Sequence, residues 1–186
     1  MTDRMLGGLT SQDVQSSIAG RFVFVQKAFV VSEDRLLLVQ KSPADPYYPG
    51  LWEVPGGRMK LAEDPDRHIK RETFEETGIR VVPGSLLHIW HWFMPDLDKR
   101  QKKFPLLGVT RERRPWVHAI AVARLCRPLG SAISTQHQVS GDHLSQVCWV
   151  PVDDIPGLDL IPGIDGAFER FRNMQKNGAL TVLSAL

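Results

Sequence analysis

The fifteen residues from Asp64 to Gly78 constrain this chain more than any other stretch. Asp64 followed by Pro65 reads as a helix start, an N-cap with proline in the first turn, and Gly78 is the matching stop. The apolar spacing between them is thin. Ile69, Thr73 and Phe74 make only a ragged face, so the caps rather than amphipathicity predict the helix. Glu72, Glu75 and Glu76 stand at i, i+3 and i+4 and so share one narrow face. Like charges at that spacing cost an isolated helix roughly 0.2–0.5 kcal/mol per pair. From Glu63 to Gly78, six acids meet three bases. Two readings are open: a solvated acidic face, or a face that holds a cation. An all-oxygen donor set of this kind selects a hard divalent ion, Mg²⁺ with Mn²⁺ as substitute, over zinc.

The rest of the chain reads as strands around that helix. Phe22 to Val31 and Leu36 to Val39 are apolar runs on either side of Ser32-Glu33-Asp34, a hairpin pattern. Leu51 to Val54 is a short strand ending at Pro55-Gly56-Gly57, and longer strands are predicted over 80–93, 116–126 and 146–152. A second helix is expected near 164–177, closed by Gly178. The fold class is therefore α/β (α+β by some schemes), a mixed β-sheet between helices. The expected organisation is an N-terminal extension (1–21), one domain (22–178) and an apolar C-terminal tail (179–186). The tail is expected to pack on the domain or on a second copy in a homodimer.

Composition excludes several classes. With 23 Lys+Arg against 21 Asp+Glu, the net charge of +2 is not that of an obligate nucleic-acid binder. Positive charge gathers between Asp96 and Pro115, where seven basic residues meet three acids. That insertion is either a solvated loop or a phosphate-attracting lid, and it keeps capped RNA open as a substrate. Cys126 and Cys148 lie in apolar runs and read as buried thiols of a reducing compartment. No apolar run approaches the ~20 residues of a membrane helix, and the first twenty residues lack a signal-peptide core. A cytoplasmic protein with no membrane partner is the expectation.

The acid-rich run resembles the Nudix box, G-x5-E-x7-R-E-U-x-E-E-x-G-U with U bulky and apolar. The matching residues are Gly57, Glu63, Arg71, Glu72, Glu75, Glu76, Gly78 and Ile79, and Thr73 departs at the first U position. The preceding Gly50-Leu51-Trp52-Glu53-Val54-Pro55-Gly56-Gly57 resembles the MutT-like branch. The resemblance covers roughly residues 22 to 177 and implies the Nudix α/β/α sandwich. It also implies that the Gly57 carbonyl and the Glu72, Glu75 and Glu76 carboxylates hold Mg²⁺, that Arg71 orients the glutamates, and that Glu63 supports the loop. The implied reaction is water attack on a phosphorus of a nucleoside diphosphate linked to a group X. Asp142, ahead of the Trp149 strand, is a candidate general base, with a loop-capping role as the other reading; His143 beside it is weaker.

Substrate contacts are expected at Lys41, where relatives place a basic side chain near phosphates and a snorkelling surface lysine is the equal reading, and at Tyr48 and Trp52 as stacking partners, most aromatics at strand positions being core. Tyr47, Trp90, Trp92 and Trp116 share that second description. Asp165, at the start of the last helix, either reads a purine edge or caps the helix. Pro95, sixteen residues past Ile79, resembles a mark of ADP-ribose hydrolases, whereas Pro55-Gly56-Gly57 resembles nucleoside triphosphate hydrolases. The expected substrate is a nucleoside triphosphate, oxidised forms included, with ADP-ribose next. A catalytically silent nucleotide-sensing or nucleic-acid-binding module is the alternative. An isoprenoid-diphosphate isomerase is disfavoured because neither cysteine has an activating charge nearby in sequence.

Overall fold

Alternation along two paired strands decides the architecture. In the computed structural model, which describes residues 21–95, 116–139 and 141–177, strand β1 (Arg21–Ser32) and strand β2 (Arg35–Lys41) form an antiparallel hairpin. Glu33 turns the corner at φ 56°. Phe29, Leu36 and Leu38 fall in one buried cluster, and Ala28, Val30 and Leu37 in a second. Odd and even residues thus line opposite faces, and both faces are covered, which is why Ala28–Val31 and Leu36–Val39 are apolar at every position. Helix α1 (Pro65–Thr77) supplies Ile69 to one cluster, and helix α2 (Asp165–Lys176) supplies Phe168 and Phe171 to the other. Full burial of a side chain such as Phe171 contributes roughly 1.5–3 kcal/mol. The result is the expected α/β/α sandwich with a mixed sheet.

The described sheet runs β3-β2-β1-β5-β4, with β6 paired to β2. Here β3 is Trp52–Glu53, β4 Val81–Pro95, β5 Trp116–Pro128 and β6 Leu144–Pro151. Strand β2 is the hub. It pairs antiparallel with β6 over most of its length, and with β1 and β3 near its two ends. A 3₁₀ turn, Val152–Gly157, follows β6 and was not expected from the sequence. Trp52 also forms a parallel bridge with Leu160.

Chain contacts divide the described residues into two units, 24–90 with 121–139 and 141–177, and 21–23 with 91–95 and 116–120. The larger carries both clusters and both helices. In the smaller, His118 Nε2 lies 3.2 Å from His91 Nδ1, and the Phe93 ring stacks on His118 at 4.3 Å between centroids. No described helix is long and apolar enough to cross a membrane. Residues 1–20 of the N-terminal extension, the basic 96–115 insertion, Gly178 and the 179–186 tail lie outside the described residues, and Arg21, the last residue of the expected extension, opens β1.

Helix α1 has the predicted bounds. Asp64 accepts the Arg67 N–H at 2.9 Å, and Gly78 closes the helix at φ 74°, where a Cβ would meet Ser134 N at 2.8 Å. Thr73, the departure from the box, is fully buried, and its hydroxyl donates to the Ile69 carbonyl at 2.7 Å. The polar atom is satisfied by the helix itself, so the position tolerates a threonine. Helix α2 differs from expectation at both ends. Ile164 occupies its N-cap position, so Asp165 is the first helical residue rather than the cap, and Asn177 is the C-cap. Because α1 depends on its cap, Asp64→Ala should cost about 1 kcal/mol, a fall of about 2–4 °C in Tm by thermal denaturation.

Candidate active site

The face of α1 solves its own repulsion with Arg71. The guanidinium takes Glu63 through two bonds, Nε to Oε1 at 2.7 Å and Nη2 to Oε2 at 3.0 Å. Its Nη1 takes Glu72 Oε1 and Glu75 Oε2, each at 2.8 Å. Three carboxylates thereby share one cation. The hydrogen bond from Arg71 holds the Glu63 carboxyl down at about 2. Burial opposes the charge of Glu72, but His68 and Arg71 outweigh it, and the carboxyl stays below its ordinary value.

The third box glutamate goes elsewhere. Glu76 is 3% exposed and accepts the Gly56 N–H at 2.8 Å. Burial pushes its carboxyl up to about 8 against the pull of Lys27 and Lys41. Those two lysines meet Glu53, which the sequence reading passed over. Lys27 Nζ pairs with Glu53 Oε2 and donates to the Gly56 carbonyl at 2.9 Å, while Lys41 Nζ lies 3.1 Å from Glu53 Oε1. Burial disfavours the Glu53 carboxylate, but the two ammonium groups hold it below its ordinary value. Burial likewise opposes the Lys41 charge, and Glu53 with Glu76 behind it keeps that ammonium above its ordinary value. Removing one partner from a buried pair of this kind costs about 3–5 kcal/mol. Ionisable residues set inside apolar strands, Lys27 in β1 and Glu53 in β3, were the signal available in the sequence.

The backbone before α1 completes the arrangement. A Cβ at Gly57 would sit 2.6 Å from Glu72 Oε2, so only glycine lets this carboxylate lie over the chain. The Gly57 carbonyl accepts the Gln26 N–H at 3.2 Å. Among the described residues, no three His, Cys, Asp or Glu side chains converge as a metal cage, because Arg71 stands between Glu72 and Glu75. The donors nevertheless suit a hard divalent ion: two carboxylate oxygens already gather on one positive nitrogen, and a backbone strand lies against Glu72.

The other expected residues have mixed placements. Asp142 accepts from Val139 N–H at 3.3 Å, the loop-capping geometry, and Lys41 donates to its carbonyl at 3.3 Å. Burial raises the Asp142 carboxyl, and the charges of Glu72 and Glu75 add to the rise. The His143 carbonyl accepts the Ser42 N–H at 2.6 Å. Tyr48 is half-buried, anchored through its N–H on Asp45 Oδ1 at 2.7 Å, and its hydroxyl is raised by burial and then by Glu53. Trp52 and Trp90 are partly buried and pack against the core cluster that includes Phe168 and Phe171 of α2. Asp165 lines a cavity of about 450 Å³ with Leu51, Leu158, Asp159, Phe168 and Arg172. Of these lining residues, only Asp165 was singled out from the sequence.

A match to the NUDIX domain family spans residues 25–171, and the chain belongs to that family. A MutT-like protein of Streptomyces ambofaciens is 28% identical over 152 residues, 77% of this chain and 78% of that protein. Diphosphoinositol polyphosphate phosphohydrolase 3-alpha of Mus musculus is 34% identical over 93 residues, 50% of this chain and 52% of that one. The alignment thus spans about half the length of such curated relatives. The crystal structure of the MutT protein from Methanosarcina mazei Go1 superposes at a TM-score of 0.59 with 22% identity, covering 86% of this chain and 99% of that one, and shows the shared fold.

The Glu76 shift has a testable sign. In the folded protein this carboxyl keeps its proton up to about pH 8, whereas in the unfolded chain it loses it near 4.5. The folded state binds the extra proton between those values, so the stabilisation is complete below the lower one and lost as pH rises to the upper. Denaturant titrations of the metal-free protein should show stability falling across that window, and Glu76→Gln should flatten the fall.

Proposed function

We propose that the chain is a divalent-metal-dependent pyrophosphohydrolase. It cleaves the diphosphate linkage of a nucleoside diphosphate linked to X, nucleoside triphosphates (oxidised forms included) ahead of ADP-ribose. The observation that carries this reading is the gathering of Glu72 and Glu75 on one Arg71 nitrogen over Gly57. Glu72, Glu75 and the Gly57 carbonyl are the groups that would hold Mg²⁺ or Mn²⁺, with Glu76 beside them. Such an ion, when bound, neutralises phosphoryl oxygens and lowers the pKa of water. The chain's own residues do the rest. Arg71 fixes the two carboxylates, Lys41 and Lys27 lend positive charge beneath the loop, and Asp142, whose carboxyl burial and then the charges of Glu72 and Glu75 raise, is the group for taking a proton from water.

The cavity at Asp165 favours a nucleobase. Its walls are Leu51, Leu158 and Phe168, and its charged groups are Asp159, Asp165 and Arg172. Apolar side chains beside two carboxylates suit a ring bearing N–H donors and suit a polyphosphorylated inositol poorly. Six residues of chain join Leu51 to Gly57, a reach of at most about 20 Å. The names of the curated relatives keep a second reading in view, a diphosphoinositol polyphosphate as substrate. A sensing module without turnover is weakened by the complete set of box glutamates.

The test is product release from nucleoside triphosphates, oxidised guanine nucleotides, ADP-ribose, dinucleoside polyphosphates and diphosphoinositol polyphosphates, with Mg²⁺ and with Mn²⁺. Glu75→Gln should lower turnover of the true substrate by about 10²–10³-fold. Full activity in that variant, or tight ligand binding without cleavage by the parent, counts against the reading. Asp165→Ala should raise KM for a nucleotide about tenfold while sparing kcat, the mark of a lost ground-state contact. An unchanged KM would remove the cavity from the substrate path.

A further inference from the structure

We propose that His68 is a positioning residue for Glu72: its Nε2–H, set by Gln26, steadies the carboxylate that faces the Gly57 backbone. The inference rests on the hydrolase reading above for its functional meaning, but its geometry stands apart from it. His68 is fully buried and lies one helical turn before Glu72. Its Nε2 is 3.5 Å from Glu72 Oε1, too long for a closed hydrogen bond, and it has no other hydrogen-bond partner.

The position of the ring hydrogen follows from Gln26. That side chain is 1% exposed, and its Nε2 donates to the Pro65 carbonyl at 2.8 Å. A carbonyl only accepts, so the amide nitrogen, not its oxygen, faces this end of α1. The same nitrogen stands 3.1 Å from His68 Nδ1. Its second hydrogen is therefore directed at Nδ1, which accepts, and the ring carries its own hydrogen on Nε2. That hydrogen is buried, and Glu72 Oε1 stands 3.5 Å from the nitrogen that carries it. The backbone N–H of Gln26 meanwhile donates to the Gly57 carbonyl. One residue of β1 thus sets both the donor behind Glu72 and the carbonyl in front of it.

The arrangement has a purpose that Arg71 cannot serve alone. Arg71 Nη1 divides itself between Glu72 and Glu75, and a divalent ion gathered by those carboxylates competes with it directly. His68 Nε2 stands 3.5 Å from the same oxygen, Glu72 Oε1, that Arg71 Nη1 takes, and as a fully buried side chain it gives that oxygen a second neighbour that remains in place if an ion displaces Arg71. Outer groups of this kind orient metal-holding carboxylates, and their loss typically weakens metal affinity 10–100-fold.

The experiment has two arms. In the first, long-range ¹H–¹⁵N correlation spectra of the metal-free protein read the His68 ring. The expected pattern is a protonated Nε2 with a lone-pair Nδ1, replaced in Gln26→Leu by a mixture of tautomers. A hydrogen on Nδ1 in the parent protein overturns the proposal. The second arm measures Mn²⁺ affinity by electron paramagnetic resonance for His68→Leu and His68→Gln, the latter keeping an N–H at similar reach. His68→Leu should bind Mn²⁺ about 10–100-fold more weakly, with His68→Gln restored to within about threefold of the parent. Equal affinities in all three overturn the proposal, as does a loss in both variants that melting curves trace to a damaged fold. Nucleotide turnover without any change in Mn²⁺ affinity sinks His68 alone. The predicted affinity pattern without turnover on any substrate upholds His68 and sinks the hydrolase reading.

Discussion

The fork made by Arg71 is the interaction on which the site depends. Three acids on or beside one helix would repel one another and fray a segment whose apolar face is already thin. A planar cation with several donors in fixed directions turns the repulsion into a shared ion pair, and a lysine's single ammonium would not span the same carboxylates. The fork works because its root is fixed. Asp64 and Gly78 set the ends of α1, and Ile69 pins it to the sheet. Glu63, just outside the helix, anchors the guanidinium by two bonds.

Most of the frame was legible in the sequence because it depends on local chemistry. Caps fixed the bounds of α1 to the residue, and the hairpin around Glu33 announced itself through two apolar runs and a polar break. The two-faced burial of β1 and β2 follows from the continuous apolar runs Ala28–Val31 and Leu36–Val39. Local signals failed where long-range packing decides. Asp165 has the composition of an N-cap, yet Ile164 takes that place and Asp165 turns to a cavity. Trp52 has the size of a stacking platform, and the sequence does not show that one side of it packs against the core. The 3₁₀ turn after β6 has no periodicity long enough to read.

The site was legible in its list of residues but not in its partition. Spacing places Glu72, Glu75 and Glu76 on one face, and a face is wide enough to point in two directions. Glu72 and Glu75 meet Arg71, while Glu76 drops under the loop to Gly56 and the lysines. Lys27 and Glu53 escaped notice because each sits in a different strand, and pattern reading treats strands one at a time. Their pairing becomes visible only when β1 and β3 are seen to converge on the Pro55-Gly56-Gly57 turn.

Strand β2 has a consequence of its own. Three ladders run along this one seven-residue element, to β1, to β3 and to β6. Through β3 it carries the turn that reaches the carboxylates, and through the Trp52–Leu160 bridge it holds the wall of the Asp165 cavity. Through β6 it holds the chain just after Asp142. Local opening normally lets a protein release one region while the remainder stays closed. Here the separate parts of the site hang from one central strand, so they form a single cooperative unit that is lost together or kept together.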